Sequence, residues 1–391
     1  MSETAVQLLR ARLPEMVRLL EELVMSESPS SDGEALTATA QLLAYRGSVL
    51  LGCNPEWLGA GSPALRWELP AQGASTGPPV LLLGHLDTVW PSGTTERWPF
   101  AVEGGRATGP GIFDMKAGLV QALFAMAESA RRGDPSPGVV LLVTSDEEIG
   151  SPGGRAHIER EAAISSAVFV LEASADGRLK VARKGVGIYR LTVTGRAAHA
   201  GLEPERGVNA LAIAAELVRG LPAIADPDVG TTVTPTLATA GTAQNTVPAL
   251  AEVTLDVRAS TVAEQERIDR ALRALAVPDG ASLGVAGGVN RPPLEAGAAE
   301  ALFTTARGLA ASCGITVLEG AAVGGASDGN FTAALGIPTL DGLGAVGGGA
   351  HAEGEHVVLA DMPTRAALVA GLITAAARSE QGAVAPGEAK L

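Results

Sequence analysis

The first part of the chain alternates short apolar runs with segments of helical periodicity. The runs VLLL, VVLLV and AVFVL begin at Val80, Val139 and Ala167, and each is followed by a histidine or by acidic residues. Runs of this length bounded by turn residues predict buried strands, and Gly84 is the expected end of the first strand. The segment MKAGLVQALFAMAESARR lies between the first two runs and predicts a helix. Strands that alternate with helices predict an α/β sheet with mostly parallel strands.

The pattern changes after about Arg183. The stretches GIYRLTVTG, TTVTPTLATAG and AEVTLDVRAS alternate apolar and polar residues, as half-exposed strands do, and two long helical patterns accompany them. From about Pro292 the first pattern resumes. The simplest organisation is one α/β domain, residues 1–182 and 292–391, whose mixed, mostly parallel sheet is flanked by helices. A smaller α+β domain, residues 183–291, is inserted into it.

The charge of the chain restricts its partners. Over 391 residues the formal net charge is −14, which argues against nucleic acid or an anionic membrane because both need clustered lysine and arginine. Lys180, Arg183 and Lys184 form a basic stretch that fits a solvated strand end better than the wall of an anionic pocket. No signal peptide or membrane-spanning run is evident, and Cys53 and Cys313 lack CxxC spacing. We therefore expect a cytoplasmic enzyme or binding protein.

The first apolar run leads directly into a histidine and an aspartate. His85 and Asp87 lie where the predicted strand opens into a loop. The carboxyl ends of strands in an open α/β sheet are where ligands and catalytic groups collect. A hydrogen-bonded core histidine followed by a turn aspartate would give the same sequence, so this pair alone does not decide between the two interpretations.

Acidic residues occupy similar places further along the chain. Asp114 precedes a predicted helix, where an N-cap is the ordinary role of an aspartate. Asp146, Glu147 and Glu148 follow the second apolar run. Three adjacent carboxylates repel one another unless a cation lies between them or water solvates the turn. Glu172 follows the third run, where we find no capping role for a glutamate.

A glycine-rich loop near the C-terminus adds a second histidine. His351 lies in GGGAHAEGEHV, and glycines let a backbone fold closely around a buried centre. Histidine and carboxylate donors without thiolates suit zinc, and also manganese or cobalt. Two ions bridged by a carboxylate would use five donors and leave one carboxylate to handle protons. The candidate donors are His85, Asp114, Glu147, Glu148, Glu172 and His351.

Eight motifs in one order give the chain a family resemblance. They are GHLDTVWP, GPGIFDMKAG, TSDEEIGS, LEAS, GRAAHAG, NTVPALAEVTLDVR, GGASDGNF and GAHAEGEHV. With these motifs the chain resembles the zinc-dependent M20 peptidases over nearly its whole length. DMKAGL and RKGVGIYRLTVTGRAAHAGLEPERGVNAL are most similar to the glutamate carboxypeptidase branch of that family.

The resemblance implies a dinuclear metal site with two zinc ions per chain, for which cobalt or manganese can substitute. His85 and Glu172 would bind one ion. Glu148 and His351 would bind the other, with Asp114 as the bridge between the two ions.

The same resemblance assigns roles to neighbouring residues. Glu147 would be the general base, and Asp87 would hold the His85 ring through its other nitrogen. The peptide bond between Asp114 and Met115 is often cis in relatives, so we expect a cis bond at this position.

The inserted domain resembles the family's lid and dimerisation domain, which implies a homodimer. His199 in GRAAHAG matches the histidine that relatives supply, usually from the partner subunit, to stabilise the oxyanion; without the family it reads as a surface turn histidine. Asn245 and Arg258 match positions that hold substrate polar groups and the terminal carboxylate, although Arg258 also fits an exposed strand residue. Gly325 in GGASDG would bring backbone N–H groups near the substrate.

The resemblance favours a hydrolase that cleaves an amide bond next to a free carboxylate. The expected substrate is a small peptide or N-acyl amino acid, from which the enzyme releases a C-terminal amino acid, with glutamate as the first candidate. An N-acyl amino acid deacylase of the acetylornithine deacetylase type is the alternative. A non-catalytic binding protein on the same scaffold is a third interpretation, although none of the expected donors is missing.

Overall fold

The computed structural model of the chain describes residues 4–59, 61–73, 75, 77–133 and 136–381. The chain divides into two compact units. The first contains the residues up to Ala182, then Ala296–Val323 and the residues from Ser327 onward. The second contains Arg183–Glu295 together with Gly324–Ala326.

Helices and strands alternate along the described chain. The α-helices are Ala5–Ala11 (α1), Leu13–Met25 (α2), Gly33–Leu51 (α3), Thr94–Arg97 (α4), Ala117–Arg132 (α5), Arg155–Ala163 (α6), Ala210–Gly220 (α7), Val262–Arg273 (α8), Ala296–Ala310 (α9), Gly329–Ala334 (α10) and Met362–Gln381 (α11). The strands are Glu56–Leu58 (β1), Ala64–Leu69 (β2), Val80–His85 (β3), Ala101–Glu103 (β4), Arg106–Thr108 (β5), Val139–Thr144 (β6), Ala167–Val170 (β7), Leu179–Arg183 (β8), Gly185–Thr194 (β9), Thr232–Ala240 (β10), Leu250–Ala259 (β11), Ser282–Arg291 (β12), Gly320–Val323 (β13), Thr339–Leu340 (β14), Gly347–Gly348 (β15) and His356–Val358 (β16). None of the described helices combines the length and the apolar character that crossing a bilayer requires.

The first unit is built on a six-stranded sheet with the order β1-β2-β6-β3-β7-β14. Strand β3 runs parallel to both β6 and β7, and β14 runs parallel to β7. Strands β1 and β2 are antiparallel to their neighbours. This mixed, mostly parallel sheet with its flanking helices confirms the predicted fold class.

Helices cover both faces of this sheet. On one face, Leu81 and Leu83 of β3 pack with Ile158 of α6 and Phe331 of α10. The buried helix α5 covers the other face, where every residue from Ala117 to Met126 is buried. Burial of both faces explains why the parallel strands are continuous apolar runs rather than alternating ones.

Gly84 does not end the first strand, so that prediction is wrong. Strand β3 continues through Gly84 to His85. A Cβ atom at position 84 would lie 2.8 Å from the side chains of both Leu119 and Met115. The glycine therefore allows α5 and the turn before it to pack closely on the strand, rather than allowing the chain to turn.

A small sheet in the first unit brings two distant loops together. Its order is β15-β16-β5-β4, and β5 and β16 are antiparallel, with His356 opposite Thr108. The loop of residues 109–111 leaves β5, and the loop of residues 349–355 enters β16. This register places the two loops side by side. The first loop leads to Asp114, and the second contains His351.

The second unit is an antiparallel sheet with the order β10-β11-β9-β12. Tyr189, Leu191 and Val193 alternate along β9 and form a core with residues of α7 and α8. Side chains on the strands outside this core remain exposed, for example Ile188 at 45% and Leu237 at 69%. One covered and one open face is the usual arrangement of an antiparallel α+β sheet. The lid and dimerisation roles of this unit stay predictions.

Candidate metal centre

The carboxyl ends of neighbouring parallel strands bring the first site residues together. His85 is the last residue of β3 and is paired with Thr144, the last residue of β6. Glu147 follows β6, and Glu172 follows β7. Parallel strands end at the same edge of a sheet, so these side chains meet there. His85, Glu147 and Glu172 each offer one ligand atom within 4.8 Å of the others.

The buried carboxylate of Asp87 contacts His85 and the backbone of both Glu147 and Glu148. Nδ1 of His85 lies 3.0 Å from the Asp87 carbonyl oxygen and 3.3 Å from Asp87 Oδ1. The backbone N–H groups of Glu147 and Glu148 donate to Asp87 at 3.2 Å each, and Ser30 Oγ donates to it at 2.7 Å. Although burial opposes the shift, the contact with His85 lowers the pKa of Asp87. Asp87 therefore stays ionised and orients both the ring and the turn.

Asp146, the first residue of the acidic cluster, has a structural partner of its own. Its carboxylate accepts the backbone N–H groups of Gly153 at 2.6 Å and Gly154 at 3.0 Å. Burial raises the pKa of Asp146. These backbone donors relieve part of the repulsion expected among three adjacent carboxylates, and they leave Glu147 and Glu148 to the site.

Asp114 lies in the tight turn Ile112–Lys116 before α5. Its backbone is not helical, with φ −117° and ψ 93°. The N-cap of α5 is Lys116, and no side chain caps this helix. The interpretation of Asp114 as an N-cap is therefore wrong, and its carboxylate is available to the site. The Asp114–Met115 peptide bond is cis, as the resemblance implies.

His351 reaches the same place from the loop before β16. Its φ is 61°, and its side chain is 51% exposed. Its Nε2 lies 3.4 Å from Asp114 Oδ2 and 3.3 Å from Glu148 Oε2. Likewise, His85 Nε2 lies 3.4 Å from both Asp114 Oδ1 and Glu172 Oε1. Each carboxylate oxygen of Asp114 therefore faces one histidine.

These distances fit ligands of a common ion better than hydrogen bonds. The N···O separations of 3.3 to 3.4 Å exceed the range of a good hydrogen bond, which ends at about 3.2 Å. Two donors bound at about 2.0–2.2 Å to one tetrahedral zinc ion lie about 3.3–3.6 Å apart. In addition, His85 Nε2 and Glu148 Oε1 are buried without a hydrogen-bond partner among the described residues. Such atoms are costly unless a ligand satisfies them, so the donor set fits a metal.

The electrostatics of the cluster are those of an anion-rich site. The carboxylates of Asp114 and Glu148 raise the pKa of His351 to about 10. Burial alone would lower the pKa of His85, but the surrounding carboxylates, Asp114 foremost, hold it well above its usual range. Burial raises the pKa of Glu148 against the opposing pull of His351. The surplus negative charge that favours protonated histidines is the kind that a divalent cation neutralises.

The basic stretch does not form a solvated strand end, so that interpretation is wrong. The Lys180 side chain is 14% exposed, and its Nζ lies 3.9 Å from Glu172 Oε2. Arg183 is 4% exposed and donates to the carbonyl oxygens of Gly325 and Ala326 at 3.1 Å each. Sequence reasoning assigns Lys180 to a solvated strand end because spacing alone does not show which strand-end cations turn toward the acidic cluster. Arg183 instead anchors the loop that contains Gly325, which is predicted to contact substrate.

The other predicted substrate residues lie in the second unit. His199 and Asn245 are exposed and belong to neighbouring loops, since the Ala200 N–H donates to the Asn245 carbonyl oxygen at 2.8 Å. Arg258 on β11 makes two parallel bonds to Asp256, both at 2.8 Å. A substrate carboxylate at Arg258 would therefore compete with Asp256 for the guanidinium fork.

Comparison with known proteins gives this cluster a family. The sequence profile of peptidase family M20/M25/M40 matches residues 81–375, a range that includes every predicted metal ligand. The chain belongs to this family. Carboxypeptidase G2 from Pseudomonas sp. (strain RS-16) is 31% identical over 376 residues, which cover 92% of this chain and 89% of that protein. Succinyl-diaminopimelate desuccinylase from Halorhodospira halophila (strain DSM 244 / SL1) is 29% identical over 369 residues, covering 88% and 94%.

Solved structures share the M20 fold. Aminopeptidase PepT from Bacillus cereus ATCC 10987 superposes with a TM-score of 0.73 at 22% identity, over 93% of this chain and 99% of that chain. The M20 family metallo-carboxypeptidase Sso-CP2 from Sulfolobus solfataricus superposes with a TM-score of 0.70 at 18% identity, over the same shares. At these identities the likeness shows the fold alone.

Family membership shows the general class of activity. The M20 family is metal-dependent, and this chain places a candidate metal-binding cluster at its strand ends. The chain is a metallopeptidase or amidohydrolase. The interpretation as a non-catalytic binding protein is set aside, because the relatives named above are enzymes.

Proposed function

We propose that this M20 enzyme is a dinuclear zinc hydrolase that cleaves an amide bond next to a free carboxylate. His85 and Glu172 would hold one ion, and Glu148 and His351 the other. Asp114 would bridge the two ions with its two carboxylate oxygens. Cobalt or manganese, which accept the same donors, would substitute for zinc.

The observation that carries the proposal is the position of Asp114 between two histidines. Its Oδ1 faces His85 and its Oδ2 faces His351, each at 3.4 Å. The spacing is nearly the same between each histidine and its glutamate, at 3.4 Å for Glu172 and 3.3 Å for Glu148. Two sets of donors that share one carboxylate are what a pair of bridged ions requires.

The charge of the cluster supports two divalent cations rather than one. Lys180 lies 3.9 Å from Glu172. Although burial opposes the shift, His351 and His85, and after them the charge of Lys180, lower the pKa of Asp114. Lys180 offsets one negative charge among the five carboxylates, and two divalent cations would offset the other four. Both histidines would then be neutral, as metal ligation requires. The carboxylates are Asp87, Asp114, Glu147, Glu148 and Glu172.

Glu147 is the residue that we assign to proton transfer. When bound, the ions supply Lewis acidity at the scissile carbonyl and make a water molecule more acidic. The Glu147 carboxylate would accept the proton of the attacking water and pass it to the leaving nitrogen. Asp87 fixes the turn that holds Glu147, because the backbone N–H of Glu147 donates to the Asp87 carboxylate at 3.2 Å. The next residue, Glu148, faces His351, so the adjacent glutamates divide into base and ligand.

The second unit would serve as lid and dimerisation domain. We propose that His199 of the partner subunit stabilises the oxyanion, and that Asn245 and Gly325 contact polar groups of the substrate. Arg258 would receive the terminal carboxylate in place of Asp256. The exposure of His199 and Asn245 and the open face of the sheet support an assembly in which a second chain covers these groups.

We propose that the product is a C-terminal amino acid, glutamate first, released from a peptide or an N-acyl conjugate. The similarity to carboxypeptidase G2, which extends over 92% of this chain, supports this choice. A deacylase of N-acyl amino acids is the second candidate. It has the support of relatives named succinyl-diaminopimelate desuccinylase, such as the one that covers 88% of this chain.

The substrate class is tested with the zinc-loaded enzyme and matched pairs of substrates. We expect hydrolysis of N-acyl and pteroyl glutamate, and loss of hydrolysis when the glutamate α-carboxylate is converted to an amide. The amide keeps the scissile bond and removes only the charge that Arg258 would bind. Mass spectrometry of the released amino acid measures the reaction.

Three other outcomes are informative. Preference for N-succinyl or N-acetyl basic amino acids would favour the deacylase. Equal hydrolysis of the free acid and the amide would contradict recognition of a free carboxylate. No hydrolysis by a protein that binds two zinc ions would mean that the proposed substrate class is wrong.

His199→Ala is expected to lower kcat by about 10²–10³-fold, because an oxyanion donor acts mainly in the transition state. Metal content should not change, and KM should change little. Steady-state kinetics and metal analysis measure both effects. A wild-type kcat in the variant would remove His199 from the proposed chemistry.

Heterodimers test whether His199 acts across the dimer. A dimer of one His199→Ala chain and one Glu147→Gln chain would contain one site with both residues intact. Randomly mixed chains should then recover about a quarter of the wild-type kcat. Verified heterodimers without activity would contradict sharing between subunits.

A further inference from the structure

Glu355 is a fully buried carboxylate whose role the proposed chemistry leaves open. It is 0% exposed, and its charge interacts with that of the buried Lys116, whose ammonium group donates to the Ser26 carbonyl oxygen at 2.8 Å. Its Oε1 accepts the backbone N–H groups of Phe113 at 2.8 Å and Asp114 at 2.9 Å. Its Oε2 accepts the Gly111 N–H at 3.0 Å and Trp90 Nε1 at 2.9 Å. Four donors therefore solvate this charge in place of water.

Three of these donors belong to one short backbone segment, and one of them is the N–H of Asp114 itself. The Lys116 N–H closes the turn by donating to the Gly111 carbonyl oxygen at 3.0 Å, but the backbone at Asp114 itself is not helical, and the Asp114 N–H donates to Glu355. Glu355 thus holds the backbone from which the proposed bridging carboxylate extends.

Glu355 also belongs to the loop of His351. The loop of residues 349–355 enters β16, beside the end of β5. The Glu355 N–H donates to the Ala352 carbonyl oxygen at 3.1 Å, and the Gly109 nitrogen lies 3.4 Å from the Glu355 carbonyl oxygen, a weaker contact. Glu355 therefore connects the turn that contains Asp114 to the loop that contains His351. Asp114 Oδ2 and His351 Nε2 lie 3.4 Å apart.

The two histidines differ in how they are held. His85 is the last residue of β3, and Asp87 contacts its Nδ1. His351 is half-exposed in a loop, and Glu355 connects that loop to Asp114. A change at Glu355 should therefore disturb the His351 side of the cluster more than the His85 side.

We propose that Glu355 is a positioning residue that sets the spacing between Asp114 and His351, and so tunes the affinity of the metal position formed by His351, Glu148 and Asp114 Oδ2. This inference rests on the proposed dinuclear function. It assigns to Glu355 no contact with substrate and no proton transfer.

Glu355→Gln tests the proposal with little change in shape. The glutamine NH₂ group would face backbone or indole N–H donors where a carboxylate oxygen now accepts, so two donors would oppose each other. Residues that orient metal ligands change metal affinity by about 10–100-fold when they are replaced. We expect the zinc ion at His351 and Glu148, called the second ion below, to bind the variant about 10–100-fold more weakly. The ion at His85 and Glu172, called the first, should bind as in the wild type.

The measurement is a titration of the metal-free full chain with Zn²⁺ against a chromophoric chelator. Glu353→Gln is the matched control, because it makes the same chemical change two residues earlier on a side chain that is 71% exposed. It should leave both affinities unchanged. Trp90→Phe removes one of the four donors and should weaken the second ion less than Glu355→Gln does.

Each outcome of the titration decides a different question. A wild-type chain that binds fewer than two ions overturns the proposed function and this inference with it. Two ions in the wild type with unchanged affinities in Glu355→Gln overturn the inference alone. Equal weakening of both ions also overturns it, because general loosening would not select one position. If Glu355→Gln fails to fold, an unchanged second affinity in Trp90→Phe overturns the inference.

Discussion

Glu147→Gln is expected to lower kcat of the zinc-loaded enzyme by about 10²–10⁴-fold, the usual contribution of a general base. Both ions should stay bound. The amide of glutamine keeps the size of the side chain but cannot accept the proton of the attacking water. The backbone bond from residue 147 to Asp87 is unaffected, so the turn should keep its shape. Steady-state kinetics with metal analysis of the same sample measure the two quantities together.

Glu148→Gln provides the matched comparison. The two glutamates are adjacent, and both donate their backbone N–H groups to Asp87. We expect the change at Glu148 to weaken metal binding, because its carboxylate faces His351 at 3.3 Å. The pair of variants therefore separates base from ligand within one turn.

The comparison also tests the closest competing role for Glu147. Its carboxylate offers a ligand atom within 4.8 Å of those of His85 and Glu172. If Glu147→Gln loses an ion, then Glu147 is a ligand and the base must be another residue. If turnover survives with both ions bound, Glu147 is neither.

The layered fold could be predicted because its signals are local. The apolar runs at Val80, Val139 and Ala167 are strands buried on both faces, and the helical segment between the first two is α5. A short-range pattern cannot show close packing between elements. For this reason the sequence predicts a strand end at Gly84, although Gly84 lies inside the strand and packs against Met115 and Leu119.

The site was predictable only in part from the residues themselves. Strand ends placed His85, Glu147 and Glu172 at one edge of the sheet by a general rule. Nothing local pairs Asp114 with His351, and that pairing came from the family resemblance. The contacts of Glu355 with Gly111 and Asp114 span 244 and 241 residues, so no pattern of spacing reveals them. The position of Lys180 could not be predicted either, because the burial of a side chain at a strand end depends on the distant segments that pack around it.

Asp114→Asn should have the second large effect, the loss of one of two bound ions together with a fall in kcat of at least about 10–100-fold, the usual cost of replacing a residue that only orients a metal ligand. An asparagine offers one carbonyl oxygen and one NH₂ group, so it cannot present an oxygen to both histidines. We expect the ion at His85 to remain, because β3 and Asp87 hold that histidine. The ion at His351 should be lost, since that side chain is 51% exposed and its loop depends on Asp114 and Glu355 for position.

Zinc stoichiometry and affinity of the full chain measure this effect directly, and circular dichroism shows whether the fold is retained. Asp176→Asn is the control, since it makes the same change on a side chain that is 86% exposed. Its positive φ of 52° also suits asparagine. Two ions bound to Asp114→Asn with wild-type affinity would exclude a bridging carboxylate at Asp114. A single ion bound to Asp114→Asn, with both ions bound to Asp176→Asn, would mean that one of the two metal positions requires the second carboxylate oxygen of Asp114, whose two oxygens each lie 3.4 Å from a histidine.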